Sequence, residues 1–372
     1  MMQKKGIHRL KFLLLPIALL YRCVVSLRNL LFDWGILSSE EFRLPVISVG
    51  NITVGGTGKT PHTEYLVDLL QETYEVAMLS RGYKRKTRNF TIAGESSTVD
   101  EIGDEPRQVK NKFPRIRVAV DRKRVNGIRQ LCKLAPPVEV VILDDAFQHR
   151  YVKPGKSILL IDYNRMITED FLLPAGRLRE PASARKRADI ILITKSPGSL
   201  KPIEMRNIVN KLHLDLHQHL FFTCMEYGTI QPVFPESVSS AEHTPDATSM
   251  VLLSGIANPA PFIEYASTLN EKVQVISFPD HHRYTEKDII QLEKILDKTG
   301  RDTSMVLTTE KDAVRLQSMP LNNSLKKVLY FVPIKVIFLN DDRDEFNQII
   351  LNYVRSNQRN NILHKETNHA AS

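Results

Sequence analysis

The sequence is poor in cysteine. Its three cysteines, Cys23, Cys132 and Cys224, are widely separated among 372 residues and match neither a metal-binding nor a redox spacing. This usage excludes a disulfide framework and suits a reducing cytoplasm. The sequence also contains no internal repeat and no low-complexity tract. We therefore expect a globular protein with unremarkable thiols.

Long uncharged apolar runs are missing as well. After a basic start, the run from Phe12 to Tyr21 covers about ten residues, whereas a spanning helix needs about 20. Arg22 follows it, Arg28 interrupts the next apolar stretch, and no small-residue cleavage site marks a signal peptide. We predict that residues 1–34 form a helix lying in the interface of an anionic membrane. A buried helix packed on the domain is the alternative.

The composition that remains is that of a folded protein. Hydrophobic residues make up 42% and charged residues 25%, and the length allows two domains. The formal net charge is +9 and the isoelectric point is about 9.3. This charge favours anionic partners, namely phosphates, an anionic membrane or nucleic acid.

A glycine-rich stretch, Gly50 to Thr60, follows an apolar run and precedes a predicted helix, as in a phosphate-binding P-loop. Lys59 is expected to reach the β- and γ-phosphates, and Thr60 to bind Mg²⁺. The usual pattern has glycine five places before Gly58, where this chain has Thr53. An ordinary glycine-rich turn is the alternative. The predicted nucleotide-binding residues are Thr53, Val54, Gly55, Gly56, Thr57, Gly58, Lys59 and Thr60.

Further apolar runs, at 117–120, 157–162 and 189–194, predict strands of a mostly parallel sheet flanked by helices, and the stretch 329–339 is strand-like with Pro333 inside it. The run 138–143 ends in Asp144 and Asp145, which resembles a Walker B strand whose carboxylates hold Mg²⁺. Asp104 precedes Pro106 at a predicted helix start, where local sequence favours a helix cap. Polar residues at strand ends or in basic loops are candidates for substrate contacts: Arg81, Gln148, His149 and Arg177.

A second α/β block begins near Ser249, after a stretch rich in proline, serine and threonine. We predict a P-loop lobe at 35–228, a linker at 229–249 and a smaller second lobe at 250–372. In that lobe, His281 and His282 lie between a strand and a helix, where functional residues often occur. An ordinary pair of loop histidines is the alternative. Three histidines near 213–219 lack the companions of a metal site.

The motifs in chain order are GGTGKT at 55–60, SRGY at 80–83, GDEP at 103–106, DDAFQHR at 144–150, LLPAGRLRE at 172–180, DHH at 280–282 and TTEKDAVR at 308–315. Together they resemble the tetraacyldisaccharide 4′-kinase family over nearly the whole chain. The resemblance implies two P-loop-like lobes and ATP-dependent phosphorylation of a lipid-linked disaccharide. It also implies a position on the cytoplasmic face of the bacterial inner membrane.

The resemblance also implies roles for single residues. Asp104 matches the residue assigned to deprotonating the 4′-hydroxyl, and His281 its partner, while Asp144 and Asp145 match the Walker B carboxylates. ATP and Mg²⁺ are the expected cofactors, and we expect a monomer that binds no nucleic acid, since no nucleic-acid module is recognisable. A P-loop GTPase or metallochaperone-type regulator is the competing class. Its Asn-Lys-x-Asp signature is absent, because 194–197 reads TKSP.

Overall fold

The computed structural model describes residues 2–238 and 247–370, so part of the predicted linker, 239–246, lies outside the described residues. The first part of the chain contains the helices α1 (Met2–Asp33), α2 (Lys59–Gln71), α3 (Val99–Ile102), α4 (Asp104–Lys112), α5 (Arg124–Leu131) and α6 (Pro202–Leu212). Its strands are β1 (Glu40–Glu41), β2 (Val46–Gly50), β3 (Val76–Ser80), β4 (Thr91–Ile92), β5 (Arg117–Val120), β6 (Val140–Asp144), β7 (Val152–Lys153), β8 (Lys156–Asp162), β9 (Ile190–Thr194) and β10 (His219–Tyr227).

The rest of the chain contains the helices α7 (Ala260–Leu269), α8 (Glu286–Thr299), α9 (Glu310–Gln317), α10 (Asn323–Val328) and α11 (Arg343–Ala370). Its strands are β11 (Gln231–Pro232), β12 (Ser249–Ser254), β13 (Val273–Ser277), β14 (Ser304–Thr309), β15 (Leu329–Val332) and β16 (Ile334–Phe338). Parallel strands flanked by helices confirm the predicted α/β class.

The first lobe is built on a nine-stranded sheet in the order β16-β10-β9-β8-β2-β6-β3-β5-β4. All pairings are parallel except those of the edge strands β4 and β16. The strands β2, β3 and β6 are buried along their whole length, because α2, α4 and α11 cover one face and α5 and α6 the other. The strand before the glycine-rich loop is therefore central, between β8 and β6.

The second lobe is built on a five-stranded sheet in the order β11-β15-β14-β12-β13. Alternate residues of β12 and β14 point to opposite faces. One face packs against α8, α9 and α10, and the other against α7. The carboxyl end of β14 leads directly into α9, which faces the first lobe through α4.

The division between the lobes differs from the predicted one. The expected single strand 329–339 is interrupted at Pro333, which has no N–H to donate to a ladder. After Pro333 the chain returns to the first sheet, where β16 pairs with β10 and Phe346, Ile350 and Val354 of α11 enter the core. The second lobe therefore does not extend to residue 372. In the predicted linker, β11 pairs with β15 and belongs to the second sheet.

Helix α1 lies along the first lobe with one face and exposes the other. Ala18, Val25 and Phe32 are buried, and the Tyr21 hydroxyl donates to the carbonyl of Arg179 at 3.0 Å. The opposite face exposes apolar side chains, namely Ile17, Leu20, Val24 and Leu27. The segment Leu14–Asp33 is long and apolar enough to cross a membrane by length and composition. The uncharged run of about ten residues ends before Arg22, and the longer segment includes Arg22 and Arg28.

Candidate active site

The glycine-rich loop closes over the N-terminus of α2. Gly58 precedes the helix with φ of 85°, a left-handed conformation that favours glycine. The Asn51 amide donates to the Thr57 hydroxyl at 2.7 Å, and the Thr194 hydroxyl donates to the Thr57 carbonyl at 2.9 Å. Both bonds hold Thr57 in place, just before Gly58. The first N–H groups of α2, beginning at Lys59, have no partner within the helix and can bind an anion.

The structure explains why threonine replaces the usual glycine in this loop. Thr53 forms an isolated β-bridge with Leu178, and the Val54 N–H donates to the Arg177 carbonyl at 2.8 Å. The Arg179 N–H donates to the Ile52 carbonyl at 2.7 Å. The start of the loop is thus an extended segment paired with residues 177–179. An extended segment accepts any side chain, so the departure from the usual pattern is compatible with a P-loop.

Asp144 stands at the carboxyl end of β6, beside the loop. It is 1% exposed and accepts hydrogen bonds from the hydroxyls of Ser80 at 3.1 Å and Thr63 at 3.4 Å. Burial, together with the charges of Glu105 and Asp145, raises the pKa of Asp144 to about 7. A nearby cation would therefore stabilise the ionised form of this carboxyl group.

Asp145 follows with φ of 47°, which turns its side chain toward the loop. Its Oδ1 lies 3.6 Å from Lys59 Nζ and 3.5 Å from Arg179 Nη1. Burial opposes ionisation, but the charges of Lys59 and Arg179 outweigh it and lower the pKa of Asp145. The Lys59 ammonium is therefore held over the loop by an ionised carboxylate.

These residues fit a magnesium ion that is shared with a nucleotide. Within residues 2–238 and 247–370, no group of three or more histidine, cysteine or acidic side chains can hold a metal by itself. Mg²⁺ commonly takes one or two carboxylates, with phosphate oxygens and water as its other ligands. The buried Asp145 Oδ1 has no hydrogen-bond partner. Asp144, Asp145 and Thr60 together supply the oxygen donors that such an ion needs.

The second acidic centre joins the two lobes. His281 Nδ1 lies 2.9 Å from Asp104 Oδ2, although the two residues are 177 positions apart. Gly103, with φ of 94°, precedes α4, so Asp104 is the first residue of the helix. Its Oδ1 accepts the N–H of Glu105 in the first turn at 3.1 Å, while its Oδ2 faces the second lobe. His281 has φ of 58°, a strained conformation that often marks functional residues.

A cavity of about 360 Å³ opens beside this pair. Residues of both lobes line it, among them Tyr83, Asp100, Arg283 and Arg315 together with the pair itself. The neighbouring His282 has a structural role, because its Nε2 bonds Asp288 at 3.0 Å at the start of α8 and its ring stacks on Phe278.

The four residues predicted for substrate contacts occupy different positions. Arg81 and Arg177 are exposed, at the end of β3 and in the loop that pairs with Thr53. The Gln148 side-chain amide donates to the Asn51 carbonyl at 2.5 Å, while the backbone carbonyl of Gln148 accepts from Arg28 of α1. His149 is partly buried, and its Nδ1 has no partner. Gln148 thus lies between the nucleotide loop and α1, whereas His149 Nε2 accepts from the Arg124 N–H at the start of α5 at 3.5 Å.

Sequence reasoning missed the cations that surround Asp104. Arg315 donates to Asp104 Oδ2, and Lys311 Nζ lies 3.9 Å from the same atom. Both belong to the motif TTEKDAVR, which was recognised without roles for its members. Their spacing of four residues after a strand was the available signal, because it places both on one face of a helix. Their partner in the other lobe could not be read from spacing.

Comparison with known proteins agrees with these observations. A family model described as "Tetraacyldisaccharide-1-P 4′-kinase" matches residues 10–355. The chain is 51% identical over 352 residues to a tetraacyldisaccharide 4′-kinase of Phocaeicola vulgatus, covering 93% of this chain and 96% of that protein. It is 47% identical over 365 residues to the Bacteroides thetaiotaomicron protein of the same name, covering 95% and 96%.

Among solved structures, the chain resembles LpxK from Aquifex aeolicus in complex with ATP. The TM-score is 0.73 at 30% identity, covering 93% of this chain and 99% of that one. The family model, the relatives and this structure each extend across both lobes. The chain therefore belongs to the tetraacyldisaccharide-1-P 4′-kinase family.

Proposed function

We propose that this protein transfers the γ-phosphoryl group of ATP to the 4′-hydroxyl of a tetraacylated glucosamine disaccharide 1-phosphate. Family membership supports the activity. The observation that carries the mechanism is the contact between Asp104 and His281 across the lobes, because it provides a proton acceptor outside the nucleotide loop. Phosphoryl transfer depends on positioning and charge stabilisation. The two lobes would supply these separately, one for the nucleotide and one for completing the acceptor site.

In this mechanism the first lobe binds the nucleotide. The N–H groups of residues 55–60 and the positive end of α2 hold the phosphates, and Lys59 leaves Asp145 to contact the transferred group. When bound with ATP, Mg²⁺ neutralises charge on the β- and γ-phosphate oxygens. Thr60, Asp144 and Asp145 would hold it.

Asp104 acts as the acceptor for the proton of the sugar hydroxyl. Its Oδ2 faces His281, whereas its Oδ1 accepts only the N–H of Glu105, at 3.1 Å. Oδ1 thus retains a lone pair for the substrate. Closure of the lobes around both substrates would exclude water and limit hydrolysis of ATP.

The exposed face of α1 supports binding to a lipid surface. Leucine, isoleucine and valine side chains cover this face, while the other face is bonded to the first lobe through Tyr21 and Arg28. A helix attached to its lobe along this length cannot cross a bilayer without carrying the lobe with it. We infer that α1 lies in the interface at the cytoplasmic face of the inner membrane, where the acyl chains of the substrate remain in the bilayer.

The test is transfer of radiolabel from γ-labelled ATP to the tetraacyldisaccharide 1-phosphate in detergent micelles. Asp104→Ala should lower kcat by roughly 10² to 10⁴ with little change in ATP affinity. Asp68→Asn, which changes an exposed carboxylate on α2, should leave both unchanged. Replacing ATP with GTP tests the competing regulator class. Near-normal turnover in Asp104→Ala would remove Asp104 from the mechanism, and absence of lipid phosphorylation by the unaltered protein would overturn the function.

A further inference from the structure

Helix α9 presents two cations to the first lobe. Lys311 and Arg315 are four residues apart, and both point at Asp104. Lys311 stands in the first turn of α9, where the helix dipole disfavours a positive charge. An unfavourable position of this kind needs compensating carboxylates, and two of them, Asp104 and Glu105, lie in the other lobe.

Arg315 is fixed from its own lobe before it reaches Asp104. Its Nη1 donates to Asp312 Oδ1 at 2.7 Å and to the Gly255 carbonyl at 3.2 Å. Asp312 is fully buried and is held in turn by the Thr309 hydroxyl at 2.7 Å and by the Gly255 N–H at 2.9 Å. The guanidinium therefore has one available edge, and Nη2 on that edge donates to Asp104 Oδ2.

Lys311 determines the tautomer of His281. Its Nζ lies 3.3 Å from His281 Nε2, 3.4 Å from Glu105 Oε1 and 3.8 Å from Asp280 Oδ1. An ammonium only donates, so a bond from Lys311 makes His281 Nε2 an acceptor and leaves the ring proton on Nδ1. Arg315 Nη2 also lies 3.4 Å from Nδ1, but the Asp104 carboxylate is the closer partner and can only accept. That proton then faces Asp104 Oδ2 at 2.9 Å. The ring is held between a donor and an acceptor.

His281 and Arg315 of the second lobe both donate to Oδ2 of Asp104, and the Lys311 ammonium lies 3.9 Å from the same oxygen. Burial raises the pKa of this carboxyl, but the hydrogen bond from His281 and the charges of Lys311 and Arg315 outweigh burial, so the pKa lies well below its usual range. Oδ1 receives none of these donors and keeps only the Glu105 N–H. The second lobe thus determines which oxygen is available.

We propose that Lys311 and Arg315 are positioning residues, which hold Asp104 by Oδ2 and His281 as its Nδ1–H tautomer so that Oδ1 is left for the acceptor hydroxyl. This inference rests on the proposed role of Asp104. It gives the motif TTEKDAVR a function: the motif completes the acceptor site only when the lobes are together. If the second lobe moved away from the first, Asp104 would lose the contacts that orient it.

The test is the pH profile of kcat/KM for the lipid at saturating MgATP. Arg315→Met should lower kcat roughly 10- to 100-fold, and the acidic limb should move to higher pH, because a carboxyl loses a cationic neighbour. Arg315→Lys keeps the positive charge but lacks the two terminal donor nitrogens of the guanidinium. The acidic limb of its pH profile should therefore stay near that of the unaltered protein while kcat falls. Arg301→Met, which removes an arginine that pairs with Asp297 within the second lobe, should change neither.

Two further measurements separate positioning from stability. The affinity for ATP should be unchanged in Arg315→Met, and the nitrogen NMR signals of His281 should lose the single Nδ1–H tautomer in Lys311→Met. If Arg315→Met does not fold, the kcat of Arg315→Lys and the His281 tautomer in Lys311→Met test the positioning role. An unchanged kcat in Arg315→Met and an unchanged tautomer in Lys311→Met, with Asp104→Ala inactive, would overturn the positioning role and leave the proposed function intact. Activity in Asp104→Ala would overturn both.

Discussion

Glu64 provides a quantitative test of how the lobes are held together. It lies on α2, is 4% exposed, and accepts from Lys112 of α4 at 2.6 Å and from Gln108 at 2.8 Å. Lys112 also lies 3.1 Å from Glu310 of α9. This cluster, Glu64–Lys112–Glu310, thus ties the helices that begin at Lys59, Asp104 and Glu310.

The structure gives the size and the sign of the effect of Glu64→Gln. Burial and the charge of Glu310 outweigh Lys112 and raise the pKa of Glu64 from 4.5 to about 7. A rise of this size corresponds to about 3 kcal/mol. Because the folded state binds the extra proton, the contribution of Glu64 to stability should fall as pH rises from 4.5 to 7 and stay lower above 7. Glu64→Gln cannot titrate, so it should match the unaltered protein near pH 4.5 and exceed it by about 3 kcal/mol at pH 8.

The assay is denaturant-induced unfolding of both proteins between pH 4.5 and 8. Glu169→Gln is the matched control, since the Glu169–Lys211 pair is exposed and such pairs contribute about 1 kcal/mol or less. Its difference from the unaltered protein should not depend on pH. If the free energies of unfolding of Glu64→Gln and the unaltered protein change in parallel with pH, the raised pKa of Glu64 is refuted.

Three further predictions concern the nucleotide, the acceptor and the membrane. Lys59→Ala should abolish phosphoryl transfer and weaken ATP binding measured by calorimetry, whereas full activity would contradict the P-loop assignment. Gly103→Ala should lower kcat and cost about 1–3 kcal/mol of stability, because φ is 94° and a Cβ there meets the Tyr83 carbonyl at 3.1 Å; unchanged kinetics would show that Asp104 tolerates the strain. Deleting residues 1–32 should release the protein from membranes in a flotation assay, and continued tight association would indicate another anchoring surface.

Local sequence patterns were sufficient to predict most strands of the first sheet. The apolar runs at 117–120, 157–162 and 189–194 coincide with β5, β8 and β9 to within a residue, because strands covered on both faces need continuous apolar sequence. Strand β10 was not predicted, and β16 was merged with β15. Both errors concern the last two strands at one end of the sheet, where partners that are distant in sequence decide which sheet a strand joins.

The sequence by itself determined the nucleotide half of the site, since the glycine-rich loop, Lys59 and Thr60 are contiguous and the carboxylates of Asp144 and Asp145 follow a recognisable strand. Their chemistry depends on neighbours along the chain and on strand-end geometry. Only the tertiary structure decided the acceptor half. Asp104, His281 and Arg315 lie on separate elements of two lobes, and their contacts form only where α4 meets α9 and the loop before α8. Local sequence favoured a cap for Asp104, because a short-range pattern contains no information about a hydrogen bond spanning 177 positions.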